Sequence, residues 1–176
     1  MRRRRLAQCL ESVRRIASQI VIADTGSTDD TVAIARGLGA TVLQVPWESH
    51  FANARNAALA PITTDWVLSL DGDEELDRDA RRDLTALLKE SEVAGYVLPV
   101  RNYAPAVEVR AGSAVGRAND FRHPRAATAG SYFVYKKCRL FRRDASIYFT
   151  GRVHEQVEVT IRAANLKLRP ADICIH

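Results

Sequence analysis

Long apolar runs are missing from this chain of 176 residues, and no stretch approaches the roughly 20 residues that a membrane-crossing helix demands. Cysteine is scarce. Cys9, Cys138 and Cys174 are odd in number and widely spaced, so no pair has metal-ligand spacing and no disulfide framework is expected. Three reduced core thiols in a cytoplasmic protein are the expectation. A signal-peptide apolar region is also lacking: after the basic opening Met1 to Arg5, the stretch Leu6-Ala7-Gln8-Cys9-Leu10-Glu11 is broken by polar residues. No aromatic residues interleave with that basic block, so nucleic acid is not an expected partner.

What is present suits one packed domain spanning residues 1–176. Hydrophobic residues make up 47%, enough for a core without staples, and charged residues make up 27%. The formal net charge is +5, and Arg2 to Arg5 supply four positive charges of it. Such a block can attract an anionic surface. A place in the cytoplasm, with peripheral contact at the cytoplasmic face of the membrane, is the reading for localisation.

Periodicity places the elements. Leu6, Cys9, Leu10, Val13, Ile16 and Ala17 recur at helical spacing. Ile20 to Ala23 reads as a buried strand, and Ser27 or Thr28 as the cap of a helix over Asp29 to Leu38. Thr41 to Val45 is a second strand, Ala52 to Ala60 a small-residue helix, and Trp66 to Leu70 a third strand. A charged helix follows over Asp77 to Lys89 with Leu84, Leu87 and Leu88 inward, then a strand over Tyr96 to Val100. Tyr103 to Gly130 has no period and reads as a long loop. Ser131 to Phe141 and Ile147 to Val153 read as late strands, with Gln156 to Ile161 continuing as one. Alternating strands and helices predict an α/β domain with a mostly parallel sheet, whose ligands sit beyond the carboxyl ends of the strands.

Two acidic clusters fall at such ends. Asp71-Gly72-Asp73 follows a buried strand; carboxylates two apart there can share a hard divalent cation or divide between a metal and a ribose hydroxyl. The alternative is a solvated turn in which Asp73, Glu74 and Glu75 favour the dipole of the next helix. Asp24, in Asp24-Thr25-Gly26-Ser27, can accept from a base N–H or a ribose hydroxyl, or simply belong to a well-capped turn. Arg55, one charge on the small-residue helix Phe51-Ala52-Asn53-Ala54-Arg55-Asn56-Ala57-Ala58-Leu59, can enter a cleft or lie on the surface.

Taken together, CLESV, IVIADTGSTDDT, GATVLQVPW, FANARNAAL and DWVLSLDGDEEL resemble the nucleotide-binding half of family-2 glycosyltransferases of the GT-A fold, and YKKCRLFRR and GRVHEQV resemble its bacterial branch acting on cell-surface glycans. The resemblance covers residues 6 to 100 and about 132 to 158, with 101–176 as an incomplete acceptor-side half. It implies a Rossmann-like sheet flanked by helices and a sugar transfer from a nucleoside-diphosphate sugar, with UDP the expected carrier, to a glycan, lipid-linked or protein acceptor. Asp24 would bind base or ribose, Arg55 base or diphosphate, and Asp71 the ribose side. Asp73 would hold Mn²⁺ or Mg²⁺, with His176 as a further ligand. An inverting transfer needs a base, for which Glu155 is the candidate, with His154 as the runner-up or as the residue that orients it.

Relatives also begin with a strand before the CLESV-type helix, central in the sheet, where this sequence has Met1 to Arg5; truncation there would leave unpaired backbone and exposed apolar surface. A non-catalytic nucleotide-sugar-binding remnant is therefore a competing reading. A nucleotidyltransferase is another, although no Gly- and Arg/Lys-rich phosphate loop is visible. A module held to anionic surfaces by Arg2 to Arg5 is the last.

Overall fold

The computed structural model describes residues 2–106, 110–111, 114–120 and 123–176. In chain order the elements are α1 (Arg2–Val13), β1 (Val21–Asp24), α2 (Thr31–Gly37), β2 (Thr41–Gln44), α3 (Phe51–Leu59), β3 (Trp66–Leu68), α4 (Ala80–Leu87) and β4 (Val93–Ala104). There follow β5 (Arg110–Ala111), β6 (Ala114–Val115), β7 (Arg117–Ala118), a 3-10 turn (Pro124–Thr128), β8 (Ser131–Arg142), α5 (Glu158–Ala163) and β9 (Lys167–Pro170). None of the described helices is long and apolar enough to cross a membrane.

The expected α/β organisation is present, and its strand pairing is mixed. β1 pairs with β2 in parallel, and β4 with β9 in parallel. β8 runs antiparallel between β3 and β4, giving the order β3-β8-β4-β9. The expectation of a mostly parallel sheet missed the antiparallel direction of β8, because direction is not encoded in a strand's own pattern.

Several local expectations change. Neither Ser27 nor Thr28 caps α2. Asp30 occupies the cap position without capping the helix through its side chain, and Asp29 accepts from the Thr31 N–H at 3.1 Å. Leu88, at the C-cap of α4, is 39% exposed rather than inward, whereas Leu84 is buried. Ile147 to Val153 forms no strand beyond an isolated bridge from Thr150 to Gln156. Gln156 to Ile161 leads into α5 instead of a strand: Val157 and Ile161, four apart and fully buried, follow a helical period that outweighs their β-branched propensity. The supposed loop after Tyr103 carries β5 paired to β6, β7 paired to β8 and the 3-10 turn. Part of that expected loop, residues 107–109, 112–113 and 121–122, lies outside the described residues.

Burial divides the interior into three clusters. One joins α1 and α4 to one face of the β3-β8-β4 sheet through Val13, Leu84, Tyr96 and Leu140. A second packs α3 and α5 on the other face through Leu59, Phe141, Val157 and Ile161. A third seats α1 on α2 and β1 through Leu6, Leu10 and Ala35. Among the described residues β1 and β3 do not pair. Between them lies a cavity of about 750 Å³, walled by Val21 and Ala23, by Val67 and Leu68, and by Leu10 and Ala58 from the helices on either side.

Cys9 and Cys138 are buried, and burial pushes both thiols up to about 12. Cys174 is only partly buried, and its thiol is pushed up to about 11, again chiefly by burial. All three are therefore protonated and weakly nucleophilic at neutral pH.

Gly95 sets the tightest contact in the sheet. A Cβ there would stand 2.9 Å from Cys138 Sγ, 2.9 Å from Leu168 Cδ2 and 3.0 Å from Ile161 Cδ1. Gly95→Ala should cost about 1–3 kcal/mol of stability by overpacking β4 against β8, β9 and α5. Urea unfolding measures it, and unchanged stability would contradict this packing.

Candidate active site

The end of β3 carries the site because three chain segments converge on it. β3 delivers Ser69 and Asp71, α3 delivers Arg55 across the sheet, and the loop before α5 delivers Glu155. Arg55 donates through Nε to Glu155 Oε1 at 2.6 Å, through NH1 to Ser69 Oγ at 3.2 Å, and through NH2 to Asp71 Oδ1. Its guanidinium also lies over the Phe149 ring, 5.4 Å from the centroid. Arg55 thus lines a cleft and does not lie on the open surface.

On the other side of Asp71 stands Arg139 from β8, only 3% exposed. Its NH2 donates to Asp71 Oδ2 at 3.1 Å and to Glu74 Oε1 at 2.6 Å. Glu74, itself buried, accepts the Asp71 N–H at 2.8 Å through its other oxygen. The acidic turn is therefore clamped to β8 by side chain and backbone together. Burial alone would raise the Asp71 carboxyl, but the two guanidiniums outweigh it and hold it down at about 2. Glu74 goes the other way: burial pushes its carboxyl up, the Asp71 charge adds to this, and Arg139 only partly offsets them. Sequence reasoning missed both Glu74 and Arg139. The available signal was an arginine inside the otherwise buried run Cys138-Arg139-Leu140-Phe141.

Asp24 closes β1 and is 5% exposed. Both of its oxygens accept from the Ser27 N–H at 3.2 Å, across a turn that Gly26 makes possible at φ +112°. Burial raises its carboxyl, yet the Ser27 bonds prevail and leave it below the ordinary value.

Asp73 points outward, with its side chain 61% exposed and an ion pair to Arg5 at 3.6 Å. His176 is buried and brought close to the same turn by its backbone: its N–H donates to the Glu75 carbonyl at 2.8 Å and its carbonyl accepts the Glu75 N–H at 2.7 Å. Its imidazole is engaged elsewhere, 2.7 Å from the Tyr103 hydroxyl and 3.5 Å from Asp77 Oδ2. It stacks on His123 with ring centroids 4.0 Å apart. Arg125, on the 3-10 turn, bonds Glu75 at 2.6 Å, the Asp73 carbonyl, and the His176 carbonyl at 3.1 Å. Among the described residues no three His, Cys, Asp or Glu side chains gather as a metal cluster. His123 and Arg125 were also missed, since the segment around them shows no period. The one local cue was Pro124 at the start of the 3-10 turn, where a proline lacks no needed N–H.

His154 does not orient Glu155. It is exposed at φ +58°, and its side chain bonds none of the described residues. Glu155 is buried and held by Arg55.

Comparison with known proteins puts these residues in a familiar setting. Residues 2–148 match the profile of Glycosyl transferase family 2. A TPR repeat-containing protein of Synechococcus elongatus is 41% identical over 93 residues, covering 53% of this chain and 23% of its own. The lipopolysaccharide core biosynthesis glycosyltransferase LpsC of Rhizobium meliloti is 36% identical over 104 residues, covering 56% of this chain and 38% of its own. The crystal structure of S. aureus TarS residues 1–349 in complex with UDP-GlcNAc superposes with a TM-score of 0.59 at 19% identity, covering 98% of this chain and 52% of that one, a likeness of fold. The chain thus spans well under half the length of these two curated relatives.

Two expectations follow from the site's electrostatics. Arg139→Met leaves buried Glu74 without its cation and half-exposed Asp71 with Arg55 alone, and should cost about 3–5 kcal/mol in urea unfolding; a loss below about 1 kcal/mol would deny the clamp. The second concerns the histidines. Burial, reinforced by His123, lowers His176 to about 4, and burial lowers His123 as well. Both fold as neutral imidazoles, so their contribution is complete above the unfolded value near 6.5 and is lost as pH falls towards 4. Thermal unfolding in EDTA should show stability declining over that window, and a His123→Gln/His176→Gln variant should show a flatter profile there.

Proposed function

The chain belongs to glycosyl transferase family 2, and on that premise we propose that it forms the donor-binding part of a glycosyltransferase that moves a sugar from a uridine-diphosphate carrier to a glycan, lipid-linked or protein acceptor, with inversion. The observation that carries this reading is Arg55, partly buried at the strand end and held between Asp71 and Glu155. Uridine is favoured by the TarS complexes, which hold UDP and UDP-GlcNAc in the same fold. A cell-envelope acceptor is favoured by the name of LpsC.

In this reading Asp24 accepts a hydrogen bond from the base or ribose in place of the Ser27 N–H it now takes. Asp71, ionised and fixed by Arg139, accepts from a ribose hydroxyl. Arg55 turns from its carboxylates to the diphosphate, where its charge stabilises the leaving group. Asp73, exposed and an oxygen donor, would hold Mn²⁺ or Mg²⁺, which supplies Lewis-acid charge to the departing diphosphate. One carboxylate fits this task, because Mg²⁺ on a nucleotide takes most of its ligands from water and phosphate. His176 would join only by turning its ring away from Tyr103 and Asp77. Glu155 takes the acceptor proton: Arg55 bonds its Oε1, and Oε2 is the atom assigned as the base.

Calorimetric titration of UDP tests the reading. The wild-type protein should bind UDP only with Mn²⁺ present, and Asp73→Ala should weaken binding at least about tenfold, equivalent to about 1.4 kcal/mol. Equal UDP affinity with and without Mn²⁺, or in Asp73→Ala, would remove the metal role. No UDP binding by the folded wild-type chain would remove the uridine assignment.

A further inference from the structure

The loop between β2 and α3 keeps large apolar groups in water. Trp47 is 46% exposed and Phe51 47% exposed, and their rings meet edge to face with centroids 4.8 Å apart. Val153, 60% exposed, belongs to a second loop tied to the first by two bonds. The Phe51 N–H donates to the Arg152 carbonyl at 3.1 Å, and Arg152 Nε donates to the Ser49 carbonyl at 3.0 Å. Each loop also holds a non-glycine residue in the left-handed region, Ser49 at φ +56° and His154 at φ +58°. Such conformations cost on the order of 1–3 kcal/mol each and persist where the surroundings enforce them.

This patch adjoins the reacting end of the cleft. Phe51 opens α3, and Arg55 lies one turn along on the same helix face. Val153 precedes Glu155 by two residues, and Glu155 is bonded to Arg55 at 2.6 Å. The two loops that raise the aromatic pair are thus the segments that carry the candidate base and its arginine.

Size and rim select the occupant. Two rings and a valine fall far short of the roughly 800 Å² per partner that a stable protein interface needs. The border is polar: Glu48, bonded to Asn53 at 3.0 Å, stands beside the patch with Arg152. With one acid and one base, the rim has no net positive charge to draw an anionic lipid surface. A pyranose ring has one face of C–H bonds and an edge of hydroxyls, matching an indole face bordered by a carboxylate, an amide and a guanidinium. Trp and Tyr suit such amphipathic surfaces because they are rigid and broad.

We propose that Trp47, flanked by Phe51 and Val153, is the stacking subsite for a pyranose ring of a carbohydrate acceptor. As an acceptor site it rests on the glycosyltransferase reading above.

The probes are maltotriose, chitotriose and mannotriose, each followed by saturation-transfer NMR with UDP and Mn²⁺ present. At least one should bind the wild-type protein, weaken about tenfold or more in Trp47→Ala, and be rescued by Trp47→Phe. UDP affinity, measured separately, should match wild type in both variants, which reports an intact fold. The proposal is overturned if no trisaccharide binds, if Trp47→Ala binds as well as wild type, or if dodecylphosphocholine micelles perturb Trp47 where the sugars do not. Sugar binding without UDP binding would keep the stacking site and remove the donor assignment; UDP binding without sugar binding would do the reverse.

Discussion

The site depends on the mutual neutralisation of charges that the fold has taken wholly or partly out of water. Asp71, Glu74 and Glu155 surround two guanidiniums, Arg55 and Arg139, at the end of one short strand. Each of these groups, alone, would be costly to bury. Together they form a chain of ion pairs that fastens α3, β3, β8 and the loop before α5 to one another. The cost falls on Arg139, whose buried Nε has no partner among the described residues. A guanidinium held in spite of that loss is fixed chiefly by its two carboxylates.

The two arginines differ in what surrounds them. Arg139 is enclosed by β8 and the acidic turn, with a side chain 4% exposed, whereas the Arg55 side chain is 20% exposed and opens on the cleft. One is suited to remain while the other exchanges partners. A second brace approaches the same turn from the opposite side: Arg125 grips Glu75 and two carbonyls, and the stacked His123 and His176 rings fill the space behind it. The turn bearing Asp71 and Asp73 is thus held on both flanks, while the Asp73 carboxylate itself stays in solvent.

Much of this was legible in the sequence, and the reasons differ by residue. Asp24 and Asp71 follow short apolar runs, so their positions at strand ends could be read directly. Arg55 stood out as one charge on a helix of small residues. Glu155 came from family resemblance, and its partner Arg55 lies 100 residues away, a pairing no local pattern encodes. Arg139 hid inside a strand whose neighbours all read as core. α5 was misread because Val157, Val159, Thr160 and Ile161 favour strands, and only the burial of Val157 and Ile161 against β8 and β9 selects the helix. The His123–His176 stack joins a segment without period to the last described residue, so tertiary packing alone creates it.

The unpaired edges of β1 and β3 have a mechanical meaning. A ladder of backbone hydrogen bonds resists shear because its spacing is fixed near 4.8 Å; interlocked side chains yield more readily. With no ladder between those edges, Asp24 rides on one stiff ribbon and Asp71 on another, coupled through α1 and α3. Among the described residues, side-chain packing through α1 and α3, and not a strand-to-strand ladder, sets the separation of the two carboxylates.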